Sequence, residues 1–462
     1  MAHRTAIPTI LLAGLAACGE SHDPTNGSLL PDTVSSEIIA WLQSAAAPFA
    51  TAQAGTDYDD LMPLRQMIGD ARVVALGEAT HGTREFFLMK HRVLEFLAKE
   101  LDFNLFAIEA TWPEANRVND YVHTGDGDPA ELLSGLYFWT WNTEAVLDMI
   151  RWMRLHNSAP GDAPLVSFFG FDMQYPGMAI HNVEVFLDAA DQPMAEFASL
   201  AYGCMLPFAN GPTGRFPSDA SYASQPAAYR DECRDDVADV VDSLAVHRAE
   251  YEAAASPEAF AVARQSARLV QQFESMSSQR IPAARDQFMA ENAMWLLEQA
   301  GPEAKIVLWA HNGHVADDPT YGGLGASMGH HLRAAYGSDL VIAGFDFYQG
   351  SFRAVTVLPS GTYAGLEEHA VGAPPEQSYE YYFHSSGLER FILDLRGVDL
   401  TPPATSWLAG PRKMRSIGAG FMPTSPQRYF YDVSLPARYD LIIYFDDTHA
   451  SRGLPREPPA EW

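Results

Sequence analysis

The sequence predicts an α/β protein: a largely parallel central sheet flanked by helices, with a helical insertion capping the C-terminal strand edge. Two observations carry the prediction. Short apolar runs alternate with stretches of helical period, which is the pattern of parallel strands joined by crossover helices. From about residue 175 to 300 the strand signals vanish and only helical patterns remain. An apolar content of 47% is ordinary for a chain that buries a core.

The N-terminus reads as an export signal. "MAHRTAIPTILLAGLAACGE" has Arg4, a short apolar segment and then small residues, too short to span a membrane as a helix. "LAAC", ending at Cys18, resembles the lipobox of bacterial lipoproteins, whose cysteine is lipidated and becomes the mature N-terminus. Residues 1–18 are therefore expected to be a signal peptide, 19–34 a polar tether and 35–447 the folded catalytic body, exported and anchored through Cys18 alone. No uncharged apolar run reaches the length of a spanning helix. The net charge of −29 argues against nucleic acid and anionic membrane surfaces as partners, both being polyanions.

The first buried strand is expected at 71–77, "ARVVALG", and opens directly into "GEATHG" (77–82). That turn sets Glu78 and His81 three residues apart between glycines. A helix follows over Thr83–Leu101, with Phe86, Phe87, Val93, Leu94 and Leu97 on its apolar face. Lys90 lies on that same face, where a cation needs a partner, Glu78 or Glu109, unless it snorkels to the flank. The second strand, 104–109, ends in Glu109, and a helix over 113–122 follows. Thr143 is placed to cap a helix over 143–157. A third strand, 164–172, ends in Asp172.

Within the helical stretch lie Cys204 and Cys233, an even pair in an exported chain, for which a disulfide is expected. The strand at 305–310, "KIVLWA", runs straight into "HNGH", giving His311 and His314. Further strands are expected at 340–347 and 439–447. The Pro-rich tail, 448–462, is expected to be loosely ordered. "GASMG" (325–329) matches the G-x-S-x-G nucleophile elbow, but "DDPTYGGL" before it is no strand, so Ser327 reads as an ordinary residue at a helix start.

Ligands of an open parallel sheet bind at the carboxyl ends of its strands. Four segments aim acids and histidines there. A histidine titrates near neutral pH and suits a general base; a carboxylate bonded to it sets its tautomer; a second histidine can donate to an oxyanion. The same side chains are also a ligand set for zinc or manganese. A third reading is a lipoprotein that binds a ligand without turnover, its site lined by Tyr137, Phe138, Trp139 and Trp141.

The chain resembles the erythromycin esterase family. The resemblance rests on "LGEATHGTREFF" (76–87), "FAIEATWPEANRVNDYV" (106–122), "FWTWNTEAVLDMIRWMRLHN" (138–157), "FFGFDMQ" (168–174), "RDQFMAENAMWL" (285–296), "WAHNGHV" (309–315) and "GFDFYQGSF" (344–352). It implies a hydrolase that opens an ester or a macrolide-like lactone without a serine nucleophile. On that resemblance His81 is the general base, oriented by Glu78. His311 or His314 polarises the carbonyl, and Glu109 positions water or a partner side chain. Lys90 stands where macrolide esterases carry arginine, and lacks its bidentate fork. Asp172, Trp139, Trp141 and Arg285 are expected to contact the substrate. No cofactor is expected on this reading, and a divalent metal on the alternative.

Overall fold

In the computed structural model, which describes residues 34–158, 163–207, 222–279, 282–323 and 325–455, ten strands form one sheet. The twelve strands among the described residues are β1 (Ala47–Pro48), β2 (Val73–Leu76), β3 (Leu105–Thr111), β4 (Ser167–Asp172), β5 (Ile306–Trp309), β6 (Leu340–Val357), β7 (Tyr363–Val371), β8 (Arg390–Asp394), β9 (Arg412–Arg415), β10 (Gly420–Phe421), β11 (Phe430–Val433) and β12 (Leu441–Thr448). The order is β1-β8-β12-β6-β2-β5-β3-β4, with β7 and β10 also pairing with β6, while β9 and β11 form a separate ribbon. The six strands β4, β3, β5, β2, β6 and β12 run parallel. The antiparallel partners β1, β7 and β8 lie outside this run.

The central strands are apolar on both sides because both faces are covered. Val73, Ala75, Leu105, Ala107, Ile306 and Leu308 face one core. Val74, Leu76, Phe106, Ile108, Val307 and Trp309 face the other, with helix Arg84–Glu100. Each large side chain withdrawn from water this way contributes roughly 1.5–3 kcal/mol. Helix Trp112–Thr124 stops at Gly125, whose φ of 85° is a left-handed cap. Thr143 accepts the Val146 N–H at 3.3 Å as the start of helix Glu144–Ser158.

The helical stretch runs from Gly177 to Ala300 among the described residues. Val183, Leu187, Val237, Val240 and Val270 of this stretch belong to the first of these cores. The stretch reaches the carboxyl edge through the first turn of its last helix, Pro282–Ala300, which carries Arg285. Cys204 and Cys233 are joined by a disulfide.

Two expectations change. The strand expected at 340–347 continues to Val357, because from Gly350 onward it pairs with β7 and, at Val355 and Thr356, with β10. The tail is not loose where it is described. The His449 carbonyl accepts the Arg84 N–H at 2.8 Å, and the Ser451 N–H donates to the Gly82 carbonyl at 2.8 Å. Leu454 N–H reaches Asn142 O at 3.0 Å. Residues 1–33, with Cys18 and nearly all of the tether, and residues 456–462 lie outside the described residues. Among the described residues no helix is long and apolar enough to cross a membrane.

Candidate active site

The turn after β2 is held from both sides. A Cβ on Gly77 would strike the amide of Asn312, and one on Gly82 would strike the backbone of Arg353. Glycine alone permits these approaches. Asn312 in turn clamps the β5 turn to β6, donating to the Phe345 carbonyl at 2.8 Å and accepting its N–H at 3.1 Å. The Asn312 N–H also donates to the Glu78 carbonyl at 2.9 Å. The two histidine-bearing turns are thus tied through backbone.

Glu78 is fully buried and divides its carboxylate. Oε1 meets His81 Nδ1 at 2.7 Å. Oε2 accepts from Lys90 Nζ at 2.7 Å and from the Trp309 indole at 2.6 Å. Burial works against its charge, but Lys90 and His81 hold its carboxyl below the usual range. Lys90 is therefore paired inside the protein rather than snorkelling, with its ammonium 4.2 Å from the Trp309 ring centroid. Burial pushes Lys90 down to about 8, against the attraction of Glu78.

His311 stands beside His81, the ring centroids 5.1 Å apart. Its Nδ1 accepts the Gly313 N–H at 3.1 Å. A backbone N–H can only donate, so the proton of the neutral ring sits on Nε2. That Nε2 is buried and has no partner among the described residues. Burial, with His81 and His314, pushes His311 down to about 3, so it stays neutral.

His314 differs. Its Nδ1 meets Asp286 at 2.8 Å and its Nε2 meets Arg285 at 3.2 Å. Burial opposes its charge, but Asp286 and Glu109 raise it above the ordinary histidine value. Arg285 links the far side of the site. It donates to both oxygens of Asp172, at 3.2 and 2.7 Å, and to Glu109 at 2.7 Å. The other Glu109 oxygen accepts the His311 N–H at 3.1 Å. Burial alone would raise Glu109, yet His314, Arg285 and His81 hold it far below the usual carboxylate range.

All six expected site residues, Glu78, His81, Lys90, Glu109, His311 and His314, meet at the carboxyl edge of β2, β3 and β5. Among the expected substrate contacts, two need correction. Asp172 is fully buried, its carboxylate taken by Arg285 and by Gln174 at 2.6 Å. Trp141 is buried too, its indole donating to the Glu109 carbonyl at 3.2 Å. Both act as props behind the site. The Arg285 guanidinium is likewise engaged by protein acceptors. Trp139 is half-buried, its ring centroid 6.0 Å from the guanidinium of Arg353, whose backbone N–H donates to the Gly82 carbonyl.

Sequence reasoning missed Asp286, Asn312, Trp309 and Tyr321. Asp286 follows Arg285 directly and Trp309 precedes "AHNGH", so adjacency was the available signal. Ser327 caps helix Met328–Tyr336 and is fully buried, its hydroxyl donating to the Ala316 carbonyl. That geometry is not an exposed nucleophile. Among the described residues no group of three or more His, Cys, Asp or Glu side chains is arranged to hold a metal ion.

A family model described as erythromycin esterase matches residues 98–448; Glu78, His81 and Lys90 lie before that span. The Escherichia coli protein named erythromycin esterase type II is 28% identical over 382 residues, covering 78% of this chain and 88% of that protein. The crystal structure of a Bacillus cereus protein has a TM-score of 0.77 and 26% identity, covering 91% of this chain and 99% of that one. A mutant of the erythromycin esterase EreC in its open conformation shares the fold, with a TM-score of 0.67 at 18% identity, covering 88% of this chain and 98% of its own.

Proposed function

The chain belongs to the erythromycin esterase family, and from that premise we propose that it hydrolyses an ester or lactone with water activated by His81, without a serine nucleophile. One observation carries the reading. His81 is anchored through Nδ1 by Glu78, and 5.1 Å away His311 offers an unpartnered Nε2–H. A base and an oxyanion donor thus face one place.

In the proposed reaction His81 Nε2 takes a proton from water as the water oxygen attacks the carbonyl carbon. The carbonyl oxygen becomes an oxyanion and accepts the His311 Nε2–H. The carbon–oxygen ester bond then breaks, and the proton on His81 passes to the leaving alkoxide. Glu78 stabilises the imidazolium formed on the way, and Lys90 keeps Glu78 ionised. His311 rather than His314 is the donor, because both ring nitrogens of His314 are held by Asp286 and Arg285.

The proposal includes metal independence. Its support is that carboxylates of the cluster are already engaged by protein donors: Glu78 with His81, Lys90 and Trp309, and Asp286 with His314. It also includes export and anchoring through Cys18, supported by "LAAC" and in keeping with the Cys204–Cys233 disulfide.

The test is incubation with a panel of alkyl esters and macrocyclic lactones, read by mass for the gain of one water. Turnover that persists in excess chelator is the expected result. Loss on chelation with recovery by a single metal would replace this mechanism with a metal-dependent one, and no turnover across the panel would end the hydrolytic reading.

A further inference from the structure

Tyr321 stands at the wall of this site with its hydroxyl unused. The segment that carries it is pinned at its base. The Ser327 hydroxyl donates to the Ala316 carbonyl and accepts the Asp318 N–H at 3.1 Å, and the Ser327 N–H returns to the Asp318 carbonyl at 2.9 Å. The Asp318 carboxylate pairs with Arg438 at 2.7 Å and accepts the Thr320 N–H at 3.0 Å. Tyr321 then opens a short 3-10 turn, Tyr321–Gly323.

Its ring meets His314 edge-on, with centroids 5.6 Å apart. Its hydroxyl lies over Gly313, where a Cβ would collide with it. The central glycine of "HNGH" therefore leaves the space that the phenol fills. Burial, with Asp286 and Glu109 nearby, raises the phenol and keeps its proton in place. The group is a donor on a half-buried side chain, free to meet an acceptor that enters the site. It makes no hydrogen bond to any described residue. The neighbouring Arg285 directs four of its five N–H donors at Asp172, Glu109 and His314.

We propose that Tyr321 is a substrate-recognition residue, whose hydroxyl donates to an oxygen substituent of the ester away from the scissile carbonyl. The substrate class is then an oxygen-bearing ester or lactone rather than a plain alkyl ester. Tyr321 packs on His314, while the oxyanion donor is His311, a further ring away at 6.5 Å between centroids. The phenol thus addresses a different part of the substrate. The inference rests on the ester hydrolysis proposed above.

The test compares wild type with Tyr321→Phe on ethyl hexanoate and on its counterparts hydroxylated at the third or the sixth carbon. Wild type is expected to favour a hydroxylated ester in kcat/KM. In Tyr321→Phe that ratio falls about three- to tenfold, the size of one hydrogen bond, and the change is carried by KM. Gly313→Ala, which crowds the phenol without removing it, lowers the same ratio. A ratio that does not move, or an equal loss on all three esters, overturns the assignment; the equal loss would mean that the ring only props His314. So does a wild type with no preference among them. A wild type inert toward every ester removes hydrolysis and this inference together, whereas an active wild type with an unmoved ratio removes only this inference.

Discussion

The Gly313 N–H donates to Nδ1 of His311 at 3.1 Å, and this single bond places the proton of a buried, neutral imidazole on Nε2. A neutral histidine held in this tautomer offers its Nε2–H as a donor, and burial, with His81 and His314, keeps it uncharged, pushed down to about 3. His311→Ala is therefore expected to lower kcat by roughly 10²–10³-fold with KM little changed, the loss of one oxyanion donor. Steady-state kinetics on a folded variant checks this. A change confined to KM would assign His311 to ground-state binding instead.

His81→Ala removes the proposed base. Turnover is expected to fall by about 10²–10⁴-fold, while the melting temperature changes little, because the His81 side chain is partly open to solvent. Near-normal rates in that variant would disprove the mechanism.

Lys90 sets the alkaline behaviour. Below about pH 8 its ammonium is charged and holds Glu78. As pH rises through about 8 the proton leaves, and the buried Glu78 loses its cation. Activity is thus expected to fall on the alkaline side near pH 8 in a kcat/KM profile. Lys90→Arg, whose guanidinium stays protonated, moves that limb upward if the pocket admits it. A limb that stays in place in a folded, active Lys90→Arg assigns it to another group.

Lys90→Met breaks the same pair permanently. It leaves the buried Glu78 carboxylate without its ammonium, which is expected to cost about 3–5 kcal/mol of stability. Urea unfolding measures it. A loss under about 1 kcal/mol would mean that Glu78 is neutral in the fold, or that its other partners suffice.

Ser327→Ala tests the elbow reading. The buried hydroxyl caps a helix and ties a loop, so a stability loss of about 1 kcal/mol is expected, with hydrolysis of a plain ester retained. A folded but dead variant would restore Ser327 as a nucleophile.

Much of this molecule was legible in one dimension. The six parallel strands were visible as apolar runs, since a strand covered on both faces has no polar side to interrupt it. Glu78, His81, Glu109, His311 and His314 were visible because each sits at or just past the end of such a run. The antiparallel strands β1, β7 and β8 were not: β1 has two residues, β7 is largely exposed, and the apolar part of β8 is only Phe391, Ile392 and Leu393. The tail at 449–455 resisted too: a Pro-rich stretch looks loose until the backbone of Gly82 and Arg84 is there to bind it.

Local pattern settled which chemistry the chain carries, the acids and imidazoles at strand ends and the lysine on an apolar helix face. Packing between distant segments settled how that chemistry is divided. His311 and His314 are alike in "HNGH", yet Asp286, 28 residues from His314 in sequence, takes one ring, and the Gly313 amide sets the proton of the other. Tautomer, charge and burial depend on neighbours within a few ångströms, and for these side chains the neighbours are brought together only when the sheet and its helices close around them.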